Sequence, residues 1–220
     1  MFDYLISFDK ELLVLLNNCN SAFFDDFFYI FSGKLAWFLT AAAIIYVIVK
    51  TQKDNWWVIF LGLVLLILLS DQISSTLIKP LFERLRPTHE PTLDGLVHIV
   101  HNHRVGGFSF VSSHAANSFA FAVFTALLFK SRFYSAMILL WAFFTGYSRI
   151  YLGVHYPLDV LVGTILGICI GYAVYALVRW YRPICCKRKI SSKNSLIIAT
   201  VFFATIAAIS VWHSKLLFLA

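Results

Sequence analysis

The sequence predicts an all-α integral membrane protein: a helical bundle of about six transmembrane helices with an amphipathic helix at its N-terminus. Two observations carry this reading. The 220 residues are 60% hydrophobic and only 13% charged, whereas soluble domains carry about 25% charged residues. The apolar residues also fall into runs near the roughly 20 residues that a bilayer-spanning helix needs, with polar residues gathered at their ends. No internal repeat, low-complexity tract or linker divides the chain, so residues 1–220 read as one domain.

Residues 1–20 place Phe2, Leu5, Ile6, Leu12, Leu13 and Leu16 at helical spacing among charges, the pattern of an amphipathic helix lying on a membrane surface. Residues 22–32 are aromatic and interrupted by Asp25-Asp26, an interfacial segment leading toward the first span. Together, 1–32 form the N-terminal interfacial part. Spans are expected at about 35–50, 56–78, 112–130, 133–149, 156–179 and 195–214. The first and fourth are short and rely on their flanks to complete the crossing. Asp3, Asp9, Lys10 and Glu11 sit where a cleaved signal peptide would have a basic segment and an apolar core, so none is expected.

Basic residues set the orientation. Lys50, Lys53, Lys130, Arg132, Arg179, Arg182, Lys187, Arg188, Lys189 and Lys193 fall on one side, and Lys79, Arg84, Arg86, Arg104 and Arg149 on the other. The richer set is expected in the cytoplasm. The second set then faces outward, in a bacterial cytoplasmic membrane with the active site toward the periplasm or outside. A net charge of +7 would suggest nucleic acid in a soluble chain. Here it is assigned to helix ends and an anion site, and no nucleic-acid partner is expected. Cys19, Cys169, Cys185 and Cys186 have no zinc-like spacing.

Three polar patches interrupt the apolar sequence between residues 79 and 159. In Lys79-Pro80-Leu81-Phe82-Glu83-Arg84-Leu85-Arg86-Pro87, two prolines stiffen a cationic juxtamembrane segment. Just upstream, Asp71 lies in or near a span, and it reads as a structural partner of these cations. In Val111-Ser112-Ser113-His114, either serine suits a helix N-cap. The same helix start is an anion site, and His114 can supply a proton there. Asn117 and Ser118 suit helix–helix hydrogen bonds. In the third patch, Ser148-Arg149 is followed by His155 and Asp159. Four residues apart, the last two share a helix face, and a carboxylate there fixes the histidine tautomer. Arg149 can clamp oxygens bidentately or simply anchor a helix end. His98, His101 and His103 crowd one loop without a carboxylate or cysteine to complete a metal set.

These residues, Lys79 with six before Arg86-Pro87, Ser112-x-His114, and Ser148-Arg149-x5-His155-x3-Asp159, resemble the type 2 phosphatidic acid phosphatase (PAP2) superfamily in its membrane-bound branch. The resemblance implies a helical core and a hydrolase of lipid phosphates that needs neither metal nor cofactor. It implies that His155 attacks phosphorus and becomes phosphohistidine, oriented by Asp159, and that His114 protonates the leaving group. Lys79, Arg86, Arg149, Ser112 and the Ser113 N–H would hold the phosphate. The family's second motif usually reads Pro-Ser-Gly-His, and Ser113 stands where that glycine would be. It is therefore expected in an ordinary helical or β conformation, still donating its N–H.

The implied partner is a membrane lipid phosphate in the bilayer, most readily undecaprenyl diphosphate. Lipid A, phosphatidylglycerol phosphate and phosphatidic acid are the alternatives. A silent phospholipid-binding protein, or a channel lined by Asp71 and Lys79, are readings of other classes.

Overall fold

The computed structural model describes residues 2–187 and 189–217, with side chains described for 4–187 and 189–212. Arg188, one of the cations assigned to the inner side, and the Phe2 side chain assigned to the N-terminal apolar face lie outside the described set. The described residues are helical and contain no strand. Helix α1 spans Phe2–Asn17 and α2 Ala22–Phe31, and α3 spans Phe38–Gln52. Helix α4, Trp56–Asp71, continues without a break through a π-helical stretch, Gln72–Ile78, into α5, Lys79–Phe82. After a long loop come α6 (Ser113–Phe129), α7 (Arg132–Tyr151), α8 (Pro157–Tyr181) and α9 (Ser192–Leu217). Each span expected from the sequence coincides with one of α3, α4 with its π extension, and α6 to α9.

The centre of the bundle is the α6–α8 contact, which explains why the site forms there. Gly163, Gly167 and Gly171 recur every fourth residue on α8; the first faces Ser112 and Ala115, and the other two face Ala116 and Ala120 of α6. Small residues at this spacing let helix backbones approach closely in lipid, where packing rather than water drives association. A Cβ on Gly163 would lie 2.6 Å from the Ser112 carbonyl oxygen. The seam thus brings the N-termini of α6 and α8 together, and the Ser112 N–H donates to the Asp159 carbonyl at 3.0 Å.

Helix α1 departs from the simple amphipathic expectation. Its buried face is Asp9, Leu13 and Asn17, while Leu5 and Phe8 are exposed. The polar residues point inward because they satisfy polar groups there. The Asn17 amide donates to the Tyr151 carbonyl at 2.7 Å and accepts from the His98 N–H at 2.7 Å. Helix α1 is docked on the end of α7, α8 and the 83–112 loop as well as being apolar along its outer side.

Candidate active site

Helix ends meet at one end of the bundle. Arg149 lies in the last turn of α7, and its carbonyl accepts the N–H groups of Val154 and His155 at 3.1 and 3.2 Å. That hook, with Gly153 at φ +67°, folds the chain sharply back so that α8 starts at Pro157. Asp159 in the first turn caps α8, accepting the Tyr156 N–H at 2.9 Å. The spacing from His155 to Asp159 therefore encodes a loop histidine facing a helix-capping carboxylate.

His155 is buried, and its two nitrogens have different partners. Arg86 Nη1 lies 3.2 Å from Nε2. A guanidinium only donates, so Nε2 accepts and holds the lone pair, which leaves the proton on Nδ1, 3.4 Å from Asp159 Oδ2. Burial, the largest influence, drives the His155 pKa down to about 4; Asp159 pulls it upward, and Arg86 and Arg149 push it further down. At neutral pH the ring is uncharged, with a free electron pair directed at the cations. Asp159 is held on every side: Ser109 donates to Oδ2 through a short hydrogen bond, and Arg84 Nη1 donates to Oδ1 at 2.8 Å.

Arg149 is 4% exposed. No partner is found for its guanidinium among the described residues, and Nε is fully buried without one. A buried, uncompensated cation is costly. Arg86 is buried too, but is braced on the carbonyls of Gly106 and Val154 at 3.1 and 2.9 Å. Lys79, at the start of α5, is half-buried and lies within electrostatic reach of Arg86 and Arg149; His114 lies within reach of Arg149, His155 and Lys79. Four helix ends and a loop thus bring three cations close to the unprotonated nitrogen of His155 and a second imidazole.

Ser112 is the N-cap of α6, its hydroxyl accepting the Ala115 N–H at 3.4 Å. Ser113 begins the helix and is absent from the positive-φ residues, so it takes the ordinary conformation expected of it. Its hydroxyl lies 2.9 Å from that of Ser75 in the π-helical stretch. The N–H groups of Ser113 and His114, in the first turn, have no intrahelical carbonyl to reach and remain for an anion.

All eight residues singled out in the sequence gather here. Two other expectations need correction. Asp71 makes no ion pair among the described residues and accepts from Ser75 at 3.5 Å, yet it still acts electrostatically on Lys79, two helical turns away. Ser118 bonds the Ala115 carbonyl of its own helix at 3.2 Å rather than a neighbouring helix, and the Asn117 Oδ1 is buried without a partner. Sequence reasoning overlooked Ser109, Arg84 and Asp9. Ser109 carries no local signal. Arg84 was one cation among several, and Asp9 looked like the polar face of a surface helix.

Beside His114 and Ser113 an apolar cavity of about 310 Å³ runs between the helices, rimmed by Lys34 and Asp71 and walled by Trp37, Ile44 and Phe121. Among the described residues no three His, Cys, Asp or Glu side chains are grouped as metal ligands. His98 and His101 instead face Asp25 and Asp26 at 3.0 and 2.6 Å.

The model of the PAP2 superfamily matches residues 60–183. The lipid A 4'-phosphatase of Bacteroides thetaiotaomicron is 40% identical over 179 residues, 80% of this chain and 79% of that protein. The lipid A 4'-phosphatase of Porphyromonas gingivalis is 33% identical over 181 residues, 82% of this chain and 77% of that one. Similarity to the undecaprenyl-diphosphatase BcrC of Bacillus subtilis is confined to 75 residues at 35% identity, 34% of this chain and 38% of that one. Among solved structures, Aquifex aeolicus LpxE superposes with a TM-score of 0.59 at 28% identity, covering 76% of this chain and 93% of LpxE.

Proposed function

The chain belongs to the PAP2 superfamily, and from that premise we propose that this membrane phosphatase removes a phosphate from a lipid A-type glycolipid through a phosphohistidine at His155. In this reading His155 Nε2 attacks phosphorus as the ester P–O bond breaks. The leaving oxygen takes the bond's electron pair and a proton from His114. Water then attacks phosphorus, the P–N bond breaks with its electron pair returning to Nε2, His114 accepts the water proton, and inorganic phosphate leaves. Lys79, Arg86, Arg149 and the N–H groups at Ser113 and His114 hold the phosphate oxygens as charge builds on them. Ser112 serves as the cap that presents those N–H groups.

The observation that carries the chemistry is the pairing of a neutral His155, its lone pair at Nε2, with the buried and partnerless Arg149. A binding module needs the cations but gains nothing from an oriented, uncharged imidazole. The lipid preference rests on the relatives. The lipid A 4'-phosphatases match across four-fifths of the chain, whereas the undecaprenyl-diphosphatase matches across a third. This reverses the order of substrates read from the motifs, which are common to the whole superfamily and cannot rank its lipids. The apolar cavity on the His114 side suits the leaving lipid. The cationic loops at the opposite end of the bundle favour an outward-facing site.

The decisive experiment is phosphate release by purified protein from lipid A, undecaprenyl diphosphate, phosphatidylglycerol phosphate and phosphatidic acid, with chelator present. Lipid A should be the best substrate, and His155→Ala should release none. Activity in His155→Ala, or loss of activity on chelation, overturns the mechanism; a preference for undecaprenyl diphosphate overturns the substrate.

A further inference from the structure

Helix α1 precedes the matched family region, yet its Asp9 is 1% exposed and reaches the site. Asp9 Oδ1 accepts the Leu158 N–H at 2.9 Å, at the start of α8. Asp9 Oδ2 accepts from Arg84 Nη2 at 2.7 Å, while Nη1 of the same guanidinium donates to Asp159 Oδ1 at 2.8 Å. The guanidinium carbon lies over the Tyr156 ring, 3.8 Å from its centroid. A planar fork is thus clamped between two carboxylates and an aromatic face, a geometry that lysine cannot supply.

Docking alone would need only the Leu158 contact, and the arrangement does more. At neutral pH Asp9, Arg84 and Asp159 carry charges of −1, +1 and −1, so the chain of three holds one net negative charge there, although burial and the Asp159 charge raise the Asp9 carboxyl above its ordinary value. That charge adjoins the Nδ1–H of His155 through Asp159 Oδ2. When Nε2 bonds phosphorus the ring keeps its Nδ1 proton and becomes cationic, and Arg86, Arg149 and His114 face it from the other side. Were Asp9 absent, Arg84 would be neutralised by Asp159 alone, and the imidazolium would lose its counter-charge.

We propose that Asp9 is a positioning residue: it shares Arg84 with Asp159 and so keeps the Asp159 charge available to the phosphorylated histidine. The N-terminal helix is thereby part of the catalytic apparatus and not only a membrane-surface anchor. The inference rests on the phosphohistidine reading above. The charged and titratable groups around Asp9 are Arg84, Asp159 and Tyr156, with Glu90 nearby on Lys10. Of these, only Arg84 bonds both carboxylates.

The test uses the full chain in detergent micelles with lipid A as probe, comparing wild type, Asp9→Asn, Arg84→Gln and the double variant. Asp9→Asn should lower kcat by on the order of tenfold to a hundredfold, as misplacement of catalytic groups does, with KM nearly unchanged. It should move the acid limb of kcat/KM to lower pH, because a more positive surrounding disfavours the protonated ring. Arg84→Gln should move the limb the opposite way, and the double variant should return it to the wild-type position. A lower melting temperature with kcat and acid limb unchanged would make Asp9 a docking residue only and overturn the proposal. If Asp9→Asn does not fold, an Arg84→Gln limb that stays in place overturns it equally. A wild type that releases no phosphate, or an active His155→Ala, defeats the phosphohistidine reading itself and this inference with it. An Asp9→Asn protein with the wild-type kcat and acid limb, beside an active wild type and a dead His155→Ala, defeats this inference alone.

Discussion

Arg86 Nη1 and His155 Nε2 stand 3.2 Å apart, and this contact fixes where the histidine keeps its electron pair. The same guanidinium is braced on two carbonyls, so it cannot swing away without breaking the loop. Arg86→Ala should reduce kcat/KM for lipid A by about 100- to 1,000-fold, the cost of removing one preorganised charge donor. Arg86→Lys should not restore it, since an ammonium cannot brace both carbonyls and face Nε2. Steady-state kinetics of the two variants check this.

The buried ring sets the acid side of the pH profile. With its pKa lowered to about 4 by burial, His155 is the reactive neutral base above that value and is protonated below it. The acid limb of activity should therefore lie near pH 4, while the protonation of His114 that the leaving group requires sets the limb on the other side. For stability, the unfolded ring has the ordinary value of 6.5, so the unfolded chain binds more protons in between. Stability from this group is full above about 6.5 and falls as pH drops toward about 4. Rate and melting profiles against pH test the two limbs separately.

Arg149 is a buried cation whose Nε has no partner among the described residues, and its cost should be measurable. Arg149→Met should abolish phosphate release while raising stability in phosphate-free buffer by at least about 1 kcal/mol, as for other buried charges replaced by apolar groups. Inorganic phosphate should raise the melting temperature of the wild type by mass action and leave that of Arg149→Met in place. Equal phosphate-induced shifts in both proteins would contradict this account.

The glycine seam predicts a packing variant. A methyl at Gly163 meets the Ser112 carbonyl at 2.6 Å, so Gly163→Ala should push the start of α6 from α8 and stretch the Ser112–Asp159 backbone bond. The expected cost is about 1–3 kcal/mol of stability, with loss of activity although no polar group of the site is removed. Thermal unfolding and turnover of this single variant are the measurement.

Ser113 tests how far a family motif binds its members. Since its backbone is ordinary helix, Ser113→Gly should keep activity within about threefold and lose roughly 0.5–1 kcal/mol of stability from glycine's extra freedom in the unfolded chain. Ser75→Ala, which removes the hydroxyl partner at 2.9 Å, should likewise leave turnover nearly intact. A large gain of activity in Ser113→Gly would show that the serine obstructs the site.

The sequence by itself determined the six spans and which ends of them meet, because hydrocarbon tolerates few charges and the polar patches were confined to span ends. It also singled out eight residues that the fold brings near one another, through local spacings such as that from His155 to Asp159, which a turn and a helix cap reproduce directly. Tertiary structure alone decided which nitrogen of His155 holds the lone pair, since that depends on Arg86, 69 positions away. It alone placed Asp9 and Arg84 beside Asp159 and kept Asp71 out of hydrogen-bond range of Lys79. Those contacts join segments whose own sequences are indifferent to one another. Only the α6–α8 seam and the docking of α1 bring them within hydrogen-bond range, where a charge acquires a partner or conspicuously lacks one.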